Sequence, residues 1–481
     1  MSDRLPRIGQ EQRLARSGFR ERIGLPPAGD ETEAIATLVQ EIREMAVRAQ
    51  ELSTILRKVS GKSVIFAGQA YYNAWFLSRE LRRLGWKADL LDWAVEQNSP
   101  YSFGYDFGFT ADQDVQEQLE FFIRSVYGYS LYHFSNAHGI SLGGRLDELL
   151  NDQLGLDGGI WLLKSLGKRI IYSLSGCLDG VSQTAFSAWG KKSVCAECRW
   201  QYEPVVCSDE RNLRFGARRN ALVDFGILFG GNRVDWNADA KFHEVPQFYC
   251  LDPSHWTQRV RIPLRHRIRR KRNHVIFGQG FGEREARTRS DGKDIKSHYI
   301  YDTVFEGLQE SGEKVQLQRW SGVNQHQVRY YVAQCDVVID MLTYGWFGAQ
   351  VREAMMMGKP VVCYLRPEWI EQVAREQPDY VSELPVVSAE PGTVSQALRE
   401  LANDQELRLH LGRTGRAFAM KWHSSPAAAL EFDALYDRLL SGHLPEPAPY
   451  PSLRVVQSTD FVSTLASAPT MPDSTTYDAT Q

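Results

Sequence analysis

The sequence lacks any stretch of about 18 consecutive apolar residues, the length that a transmembrane helix needs. Its first thirty residues are charged and interrupted by proline and glycine, without the apolar core of a secretory signal. These two absences lead us to expect a cytoplasmic protein with no membrane-spanning segment. Peripheral contact with the inner face of a membrane stays open.

The sequence also lacks a strong charge of either sign, because 56 basic side chains stand against 59 acidic ones and give a net charge of -3. No overall field therefore draws the protein to nucleic acid, and we expect no nucleic-acid partner. One local exception is the basic run RHRIRRKR at 265–272. It is either a solvated connection between domains or a contact for phosphates or lipid head groups.

Cysteine is scarce: the chain has seven, an odd number that argues against a disulfide framework in a protein of this size. Two residues separate Cys195 from Cys198, and Cys207 follows after eight more. Paired thiolates at this spacing form one knuckle of a tetrahedral zinc site. An iron–sulfur cluster or reduced, empty thiols are the alternatives. The other cysteines in apolar surroundings are expected in the core: Cys250, Cys335 and Cys363.

At about 150 residues per domain the length allows two or three units, and we expect two α/β domains with parallel sheets. In the first half, apolar runs predict strands at 62–67, 88–91, 130–134 and 169–174 and helices at 31–56 and 70–84. In the second half, strands are predicted at 273–277, 315–317, 336–340 and 360–364. A glycine-rich loop is expected up to 294, and helices at 296–310, 324–334, 347–357, 393–401, 405–418 and 426–440.

These elements divide the chain into five segments. We expect an N-terminal arm and helix at 1–60, a first domain at 61–264, and a second domain at 273–423. A C-terminal helix at 424–440 can return to the first domain. From 441 to 481 the chain is rich in Pro, Ser, Thr and Ala without periodicity, and we expect a disordered tail.

The segment YGWFGAQVREAMMMGKPVVCY at 344–364 predicts a glycine-bearing loop, a short helix and a buried strand. Gly345 and Gly348 allow close approach of the backbone to a ligand, and the N–H groups at the start of the helix suit an anion. Gly358 ends the helix and Pro360 prevents its continuation. Because parallel α/β sheets bind ligands beyond the carboxyl ends of their strands, this segment is a candidate anion cradle.

The longer segment CDVVIDMLTYGWFGAQVREAMMMGKPVVCY, at 335–364, resembles the nucleotide-sugar site of retaining glycosyltransferases of family 4. The likeness covers roughly 62–440 and points to a subgroup with a Gly-Trp-Phe/Tyr-Gly loop and a cysteine cluster. It implies the GT-B architecture, α/β with two doubly wound Rossmann-like domains that face a central cleft. It also implies transfer of a sugar, with retention and without a divalent metal, from a nucleotide-diphosphate donor. The implied acceptor is a glycan, a lipid-linked molecule or a small molecule.

The resemblance assigns roles to individual positions. Glu353 matches the second glutamate of the family's acidic motif, which binds the donor ribose. The first glutamate falls on Gly345, which is not acidic, so contacts with the donor sugar differ in this chain. Lys296 matches a lysine on the donor diphosphate, where an ammonium would offset the charge that grows on the leaving group. Lys296 is therefore predicted to be both a binding and a catalytic residue.

The segment LYHFSNAHGISL at 131–142 holds two histidines, and the family carries a histidine near the reacting sugar in a comparable loop. His138 is our first choice for this catalytic role and His133 the second, while the alternative for either is a strand-end cap. A neutral imidazole can hydrogen-bond a sugar hydroxyl or move a proton. The other residues expected around the nucleotide sugar are Gly68, Gly278, Gly345, Trp346, Phe347 and Gly348.

The same subgroup has a cysteine ahead of its cysteine trio, and Cys177 in SLSGCLDG takes that place. The resemblance therefore implies a structural zinc held by Cys177, Cys195, Cys198 and Cys207. A closed shell of four thiolates leaves no position for water, so the ion would brace a loop and take no part in the transfer.

Two other classes of function stay open. A relative that lacks an acid at Gly345 could keep the fold as a non-catalytic binding or assembly protein. Another GT-B enzyme, such as a nucleotide-sugar epimerase, is the third possibility.

Overall fold

A computed structural model describes residues 31–59, 61–68, 72–93, 102–109, 115–135, 139–174, 176–188, 194–204, 206–228, 233–281 and 288–444. The strands are β1 Ser63–Ala67, β2 Lys87–Asp92, β3 Phe107–Gly108, β4 Leu131–Ser135, β5 Arg169–Ser173, β6 Phe225–Leu228, β7 Phe242–Glu244, β8 Val275–Phe281, β9 Val315–Ser321, β10 Val337–Ile339, β11 Val361–Cys363 and β12 Val387–Ser388.

The helices of the first half are α1 Glu31–Val47, α2 Ala49–Val59, α3 Asn73–Arg83, α4 Val115–Gly128, α5 Gly144–Leu154, α6 Gly158–Ser165, α7 Gln183–Ser187 and α8 Asp209–Leu222. Those of the second half are α9 His298–Glu310, α10 Gln325–Gln334, α11 Ala349–Met356, α12 Pro367–Glu376, α13 Pro378–Ser382, α14 Val394–Asn403, α15 Gln405–Trp422 and α16 Ser425–Leu440.

The first sheet has seven parallel strands in the order β3-β2-β1-β4-β5-β6-β7. Its central strands are continuous apolar runs, and all five residues of β1 are buried. Such runs suit a sheet that is covered on both faces by helices. The strand order reverses between β1 and β4, the kind of switch point where α/β sheets open a ligand crevice.

The second sheet has five parallel strands in the order β12-β11-β10-β8-β9. Here the order reverses between β8 and β10, so this sheet also has one switch point. The two Rossmann-like α/β domains that the resemblance implied are therefore confirmed.

The last helix, α16, packs against α3 of the first domain. Lys62 Nζ lies 2.7 Å from Asp433 Oδ1 and 2.8 Å from Asp437 Oδ2, and the Trp86 indole donates to Asp433 at 2.7 Å. The chain thus crosses back from the second domain and ties the two domains together.

Several predicted bounds were wrong. The helix expected at 31–56 is two helices, α1 and α2, and the helix that follows the glycine-rich region begins at His298, so Lys296 precedes it. Gly278, expected in a loop, lies in the middle of β8. A Cβ at this position would lie 2.3 Å from Cys335 Sγ and 2.9 Å from the Trp320 ring, so the glycine makes room for packing inside the domain.

In the described part of the chain, no helix is both long and apolar enough to cross a membrane. The three cysteines predicted in the core are buried there. Residues 1–30, His138 and the predicted tail beyond 444 lie outside the described residues.

Candidate functional site

The loops at the carboxyl ends of the two sheets meet each other. Tyr72, after β1 of the first domain, donates a hydrogen bond of 2.6 Å to Glu353 in α11 of the second domain. Cys177, after β5, has its Sγ 2.8 Å from the hydroxyl of Tyr344, which follows β10. The candidate site is therefore built from both domains, at the edge where parallel sheets bind ligands.

Lys296 forms an ion pair with Asp340, the residue that follows β10. The Lys296 Nζ to Asp340 Oδ1 distance is 2.7 Å, and the Asp340 side chain is fully buried. Within the described residues, Asp340 Oδ2 has no hydrogen-bond partner. Asp340 was not among the predicted site residues, although a charged residue at the end of an apolar strand was a usable signal.

Glu353 lies on the inner face of α11 and is 2% exposed. Its Oε1 accepts hydrogen bonds from the Tyr72 hydroxyl at 2.6 Å and from the Gln325 amide at 2.5 Å. Lys296 and Asp340 both lie near enough to influence its charge. The structure thus brings together Lys296 and Glu353, the two residues that the resemblance placed on the donor.

Burial raises the pKa of Glu353 to about 7, while Tyr72 and Lys296 oppose the shift. A carboxyl group that loses its hydration favours the neutral form, and hydrogen-bond donors or a nearby cation favour the charged form. Glu353 therefore gains or loses its proton near neutral pH. Its ability to accept hydrogen bonds then depends on the pH in this range.

The loop between β10 and α11, residues 340–348, contains Gly345 and Gly348, and we call it the glycine loop. The turn before α9 connects Lys296 to this loop. Ser297 has φ of 61°, in the left-handed region, and its hydroxyl accepts a hydrogen bond of 3.1 Å from the Leu342 N–H. Gln279 of β8 donates to the Lys296 carbonyl at 2.8 Å. Non-glycine residues in this region cost free energy, so their presence at a site indicates a position fixed by its surroundings.

The glycine loop has a backbone that favours glycine at position 345. Gly345 has φ of 84°, and its carbonyl accepts a hydrogen bond from the Arg366 N–H at 2.8 Å. An L residue such as glutamate would cost about 1–2 kcal/mol in this left-handed conformation. The backbone at position 345 therefore disfavours the glutamate that the resemblance would place there.

Gly348 immediately precedes α11, and its surroundings are open. A Cβ built on Gly348 would meet only the Met341 methyl group, at 3.9 Å. The first N–H groups of α11 follow it and carry the positive end of the helix dipole. This position fits the expected approach of an anion to the backbone.

Trp346 and Phe347, which were expected to contact the nucleotide sugar, are each 1% exposed. The Trp346 ring packs between domains, 5.9 Å from Phe186 and 6.1 Å from Trp236, and Phe347 packs 5.7 Å from Trp369. Both rings are covered by protein in this structure, and their contact with a nucleotide sugar stays a prediction. The packing of these two rings fixes the position of the glycine loop.

His133 is also in the core, with an exposure of 1%. Its Nδ1 lies 2.6 Å from the Tyr436 hydroxyl and its Nε2 lies 2.6 Å from Ser173 Oγ, while the ring stacks on Phe248. Burial lowers the pKa of His133 to about 3. Both ring nitrogens are engaged within the protein, and the role of His133 at the sugar stays a prediction.

Gly68 ends β1 with φ of 81°, as a sharp turn requires. Its carbonyl accepts a hydrogen bond of 3.2 Å from Ser135 Oγ at the end of β4. Gly68 therefore lies at the switch point of the first sheet. His138, the first choice for a catalytic histidine, lies outside the described residues.

The four cysteines predicted to bind zinc come together after β5 and before α8. Cys207 Sγ accepts hydrogen bonds from the Gln183 amide at 3.0 Å and the Asn212 amide at 3.3 Å. Burial, with a smaller contribution from the nearby Cys198 and Cys207, raises the pKa of Cys177 to about 12. All seven cysteines are free thiols.

Among the residues that the structure describes, no three His, Cys, Asp or Glu side chains are arranged to hold a metal ion. The thiols that were expected to bind zinc are neighbours, but they do not form a ligand shell in this arrangement. Cys177 instead pairs with the Tyr344 hydroxyl. The zinc site therefore stays a prediction, and no step of the transfer depends on it.

The cysteine segment carries a functional candidate that the sequence analysis missed. Glu197, between Cys195 and Cys198, is 7% exposed and reaches the second domain. Its carboxylate accepts hydrogen bonds from the Tyr299 hydroxyl at 2.5 Å and from the Thr343 hydroxyl at 3.1 Å. The buried carboxylate of Glu197 thus contacts the glycine loop at Thr343, two residues before Gly345. The Cys-Ala-Glu-Cys spacing drew attention to the thiols and away from this acid.

No protein-family model matches the chain, and no curated protein matches its sequence. Solved structures resemble it in three dimensions at low sequence identity. Sucrose-phosphate synthase from Thermosynechococcus elongatus is 14% identical, with a TM-score of 0.48 over 79% of this chain and 100% of that one.

Anabaena HepE, solved in complex with UDP-glucose, is 12% identical, with a TM-score of 0.46 over 78% of this chain and 99% of that one. A glycosyltransferase from Rickettsia africae is 8% identical, with a TM-score of 0.48 over 79% of this chain and 99% of that one.

Proposed function

We propose that the protein is a glycosyltransferase that takes a sugar from a nucleotide-diphosphate donor and transfers it, with retention, to an acceptor in glycan or glycoconjugate biosynthesis. The observation that carries this proposal is the meeting of Lys296, Asp340 and Glu353 at the switch point of the second sheet. The sequence resemblance assigns Lys296 to the diphosphate and Glu353 to the ribose. Lys296 lies near enough to influence the charge of Glu353, which is consistent with one bound nucleotide.

Lys296 and the start of α11 supply positive charge for the diphosphate. An ammonium has three N–H donors, and Asp340 engages one of those of Lys296. The other donors, with the backbone N–H groups that follow Gly348, would stabilise the charge that develops on the departing diphosphate. Asp340 holds the ammonium in place before the donor binds. No divalent metal is needed for this role.

Glu353 would bind the ribose by exchanging its hydrogen-bond donors within the protein for ribose hydroxyls. In the structure its Oε1 accepts from Tyr72 and Gln325, both of which are neutral donors. Two ribose hydroxyls can replace these donors without leaving the buried carboxylate unsatisfied. Since Tyr72 belongs to the first domain, donor binding would release one contact between the domains.

Glu197 would provide the carboxylate that position 345 lacks. It reaches the glycine loop from the first domain and is held there by Tyr299 and Thr343. Such a group can accept a hydrogen bond from a donor sugar hydroxyl. The acceptor would enter from the first domain, next to Gly68 and the segment that carries His138.

The proposal is tested with purified protein and a panel of UDP-, GDP- and ADP-sugars. We expect one nucleotide to bind and its sugar to be released slowly to water, which liberates the nucleotide diphosphate. Glu197→Gln should slow this release without weakening binding of the free nucleotide diphosphate, because Glu197 is assigned to the sugar. Glu371→Gln, an exposed acid in α12, is the matched control. Failure of every nucleotide to bind would contradict the proposal.

A second candidate function is a non-catalytic binding or assembly protein with the same fold. It is favoured by the contact of Tyr72 with Glu353, which occupies the expected ribose position within the protein. This alternative predicts nucleotide binding without release of diphosphate from any sugar donor. An epimerase would instead interconvert free nucleotide sugars, which separation of the sugars by chromatography detects.

The cysteine cluster is proposed to bind one structural zinc that braces the loop carrying Glu197. We expect elemental analysis of the purified protein to find one zinc per chain, and Cys198→Ser and Cys207→Ser to lose it. Cys335→Ser is the matched control, because its hydroxyl can keep the bond to the Tyr331 carbonyl. Less than about half a zinc per chain, in the absence of iron, would reject the four-thiolate site.

A further inference from the structure

The connection between the two domains carries a continuous basic surface, which we name the basic strap, residues 259–272 with the sequence RVRIPLRHRIRRKR. It has eight Lys and Arg side chains and no acidic one, in a protein whose net charge is -3. All eight are exposed: Arg259, Arg261, Arg265, Arg267, Arg269, Arg270, Lys271 and Arg272. The strap is therefore a local concentration of positive charge in a chain whose overall charge is slightly negative.

The strap is fixed to the second domain by two glutamine side chains. Gln334 accepts from the Ile268 N–H at 3.0 Å and donates to the His266 carbonyl at 2.8 Å. Gln316 accepts from the Lys271 N–H at 2.9 Å and donates to the Arg269 carbonyl at 2.9 Å. These bonds hold the backbone of the strap as a neighbouring strand would. The cations are thus presented on a defined surface and do not belong to a loose linker.

From 265 to 269, alternate residues of the strap face opposite ways. His266 is buried and stacks on Tyr330, with ring centroids 5.1 Å apart, and Ile268 is half-buried. Arg265, Arg267 and Arg269 lie between and beside them and are exposed. Apolar and aromatic anchors on one side and arginines on the other give the strap a single cationic face.

Within the described part of the chain, Arg270 is the one basic residue of the strap that pairs with a carboxylate, Asp336 at 2.7 Å. The chain elsewhere commonly pairs its surface arginines with acids, as Arg82 does with Asp106. The strap therefore keeps most of its positive charge for a partner outside the molecule.

Leu264 lies at the start of a short helical turn in the middle of the strap and is 78% exposed. A leucine surrounded by cations is unfavourable in water but suits the boundary between lipid head groups and acyl chains. Nucleic acid offers phosphates but no apolar layer for such a side chain. The combination of a cationic face and a protruding leucine favours a membrane over a nucleic acid.

We propose that the basic strap is a docking surface for an anionic lipid bilayer, with its arginines on the head groups and Leu264 inserted between them. Clusters of four to eight basic residues are typical of such contacts. The proposal does not depend on donor binding, so its failure would leave the proposed transferase activity untouched. It would place the cleft at a membrane surface, where an acceptor carried on a lipid is presented.

The test is flotation of the full-length protein with vesicles of phosphatidylcholine alone or mixed with an equal amount of phosphatidylglycerol. We expect binding only to the mixed vesicles, and less of it as salt rises, because screening shortens the reach of exposed charges. Four arginines are exchanged together: Arg261→Gln, Arg267→Gln, Arg269→Gln and Arg272→Gln. Each cation near an anionic surface is worth about fivefold in partitioning, so the loss of four should weaken binding by about 600-fold.

The matched control removes the same charge elsewhere, at four arginines that are also exposed: Arg124→Gln, Arg145→Gln, Arg413→Gln and Arg438→Gln. It should bind like the unchanged protein. Leu264→Ser should weaken vesicle binding several-fold at high salt, where insertion matters most. Since Leu264 is exposed, this change leaves the fold intact, which a thermal unfolding curve confirms.

Four results would overturn the proposal. They are no binding of the unchanged protein to mixed vesicles at low salt, equal loss in the control and the strap variant, unchanged binding of Leu264→Ser at high salt, and strap-dependent binding of an RNA duplex in place of vesicles. Strap-dependent binding to mixed vesicles, weakened by loss of Leu264, supports it.

Discussion

Lys296→Met is expected to destabilise the second domain by about 3–5 kcal/mol, because it leaves the buried carboxylate of Asp340 without its cation. The double variant Lys296→Met with Asp340→Asn should recover most of the stability, since it removes the stranded charge together with its partner. The measurement is the midpoint of thermal unfolding for the four proteins of this cycle.

The affinity for the nucleotide diphosphate should not recover together with the stability. It should stay low both in Lys296→Met and in the double variant, because both lack the ammonium. A charged hydrogen bond to a phosphate contributes about 1.5–3 kcal/mol, so the loss is about 10- to 100-fold. Lys314→Met, at an exposed lysine, serves as the control and should change neither quantity. Recovery of both stability and affinity in the double variant would show that Lys296 has a structural role alone.

The strands of both sheets could be predicted from the sequence because their apolar runs are continuous. Strand β5 was expected at 169–174 and is Arg169–Ser173, and β1 differs from its prediction by one residue. Four strands were missed, β3, β6, β7 and β12, and each of them has only two to four residues. Short runs of this kind carry no periodicity of their own.

Glycines misled the prediction where tertiary packing determines their role. Gly278 and Gly280 were expected in a loop and lie in β8, where the Trp320 ring of the neighbouring strand leaves no space for a Cβ. A local pattern cannot show this, because the reason for the glycine is a residue about forty positions away. By contrast, Gly345 has φ of 84°, so its own backbone conformation favours glycine.

The candidate site was predictable only as far as one domain could supply it. Glu353 was assigned from the segment around the glycine loop and Lys296 from its place after the first strand of the second domain, and both lie close enough to interact. Tyr72 and Glu197 come from the first domain, 281 and 146 residues away in sequence from their partners Glu353 and Thr343. Contacts between domains leave no spacing signal in the chain, so these residues were missed.

Glu353→Gln is expected to make the protein more stable at alkaline pH while it weakens nucleotide binding. The pKa of Glu353 is raised from 4.5 to about 7 by burial, so the folded state binds its proton more tightly than the unfolded chain does. The contribution of this group to stability is therefore favourable below pH 4.5 and is lost as the pH rises to about 7. The cost at pH 8 is about 3 kcal/mol, because each tenfold difference in proton affinity between the two states corresponds to about 1.4 kcal/mol.

The amide in Glu353→Gln carries no charge and keeps an oxygen that can accept from Tyr72. We therefore expect the variant to unfold at a higher temperature than the unchanged protein at pH 8 and at nearly the same temperature at pH 5. Glu244 has a pKa that burial raises to about 8 and also makes stability depend on pH. The difference between the two proteins, and not either curve alone, isolates Glu353.

Affinity should distinguish a ligand-binding carboxylate from a structural one. Two ribose hydroxyls need the ionised form of Glu353, so the affinity of the unchanged protein for a nucleotide diphosphate should rise between pH 6 and 8. Glu353→Gln should lose this dependence and about 10- to 100-fold of the affinity at pH 8, measured by calorimetry. Glu371→Gln, an exposed acid, should behave like the unchanged protein in both measurements. A variant that gained stability and kept its affinity would remove Glu353 from the ribose site, because the raised pKa would then reflect burial alone.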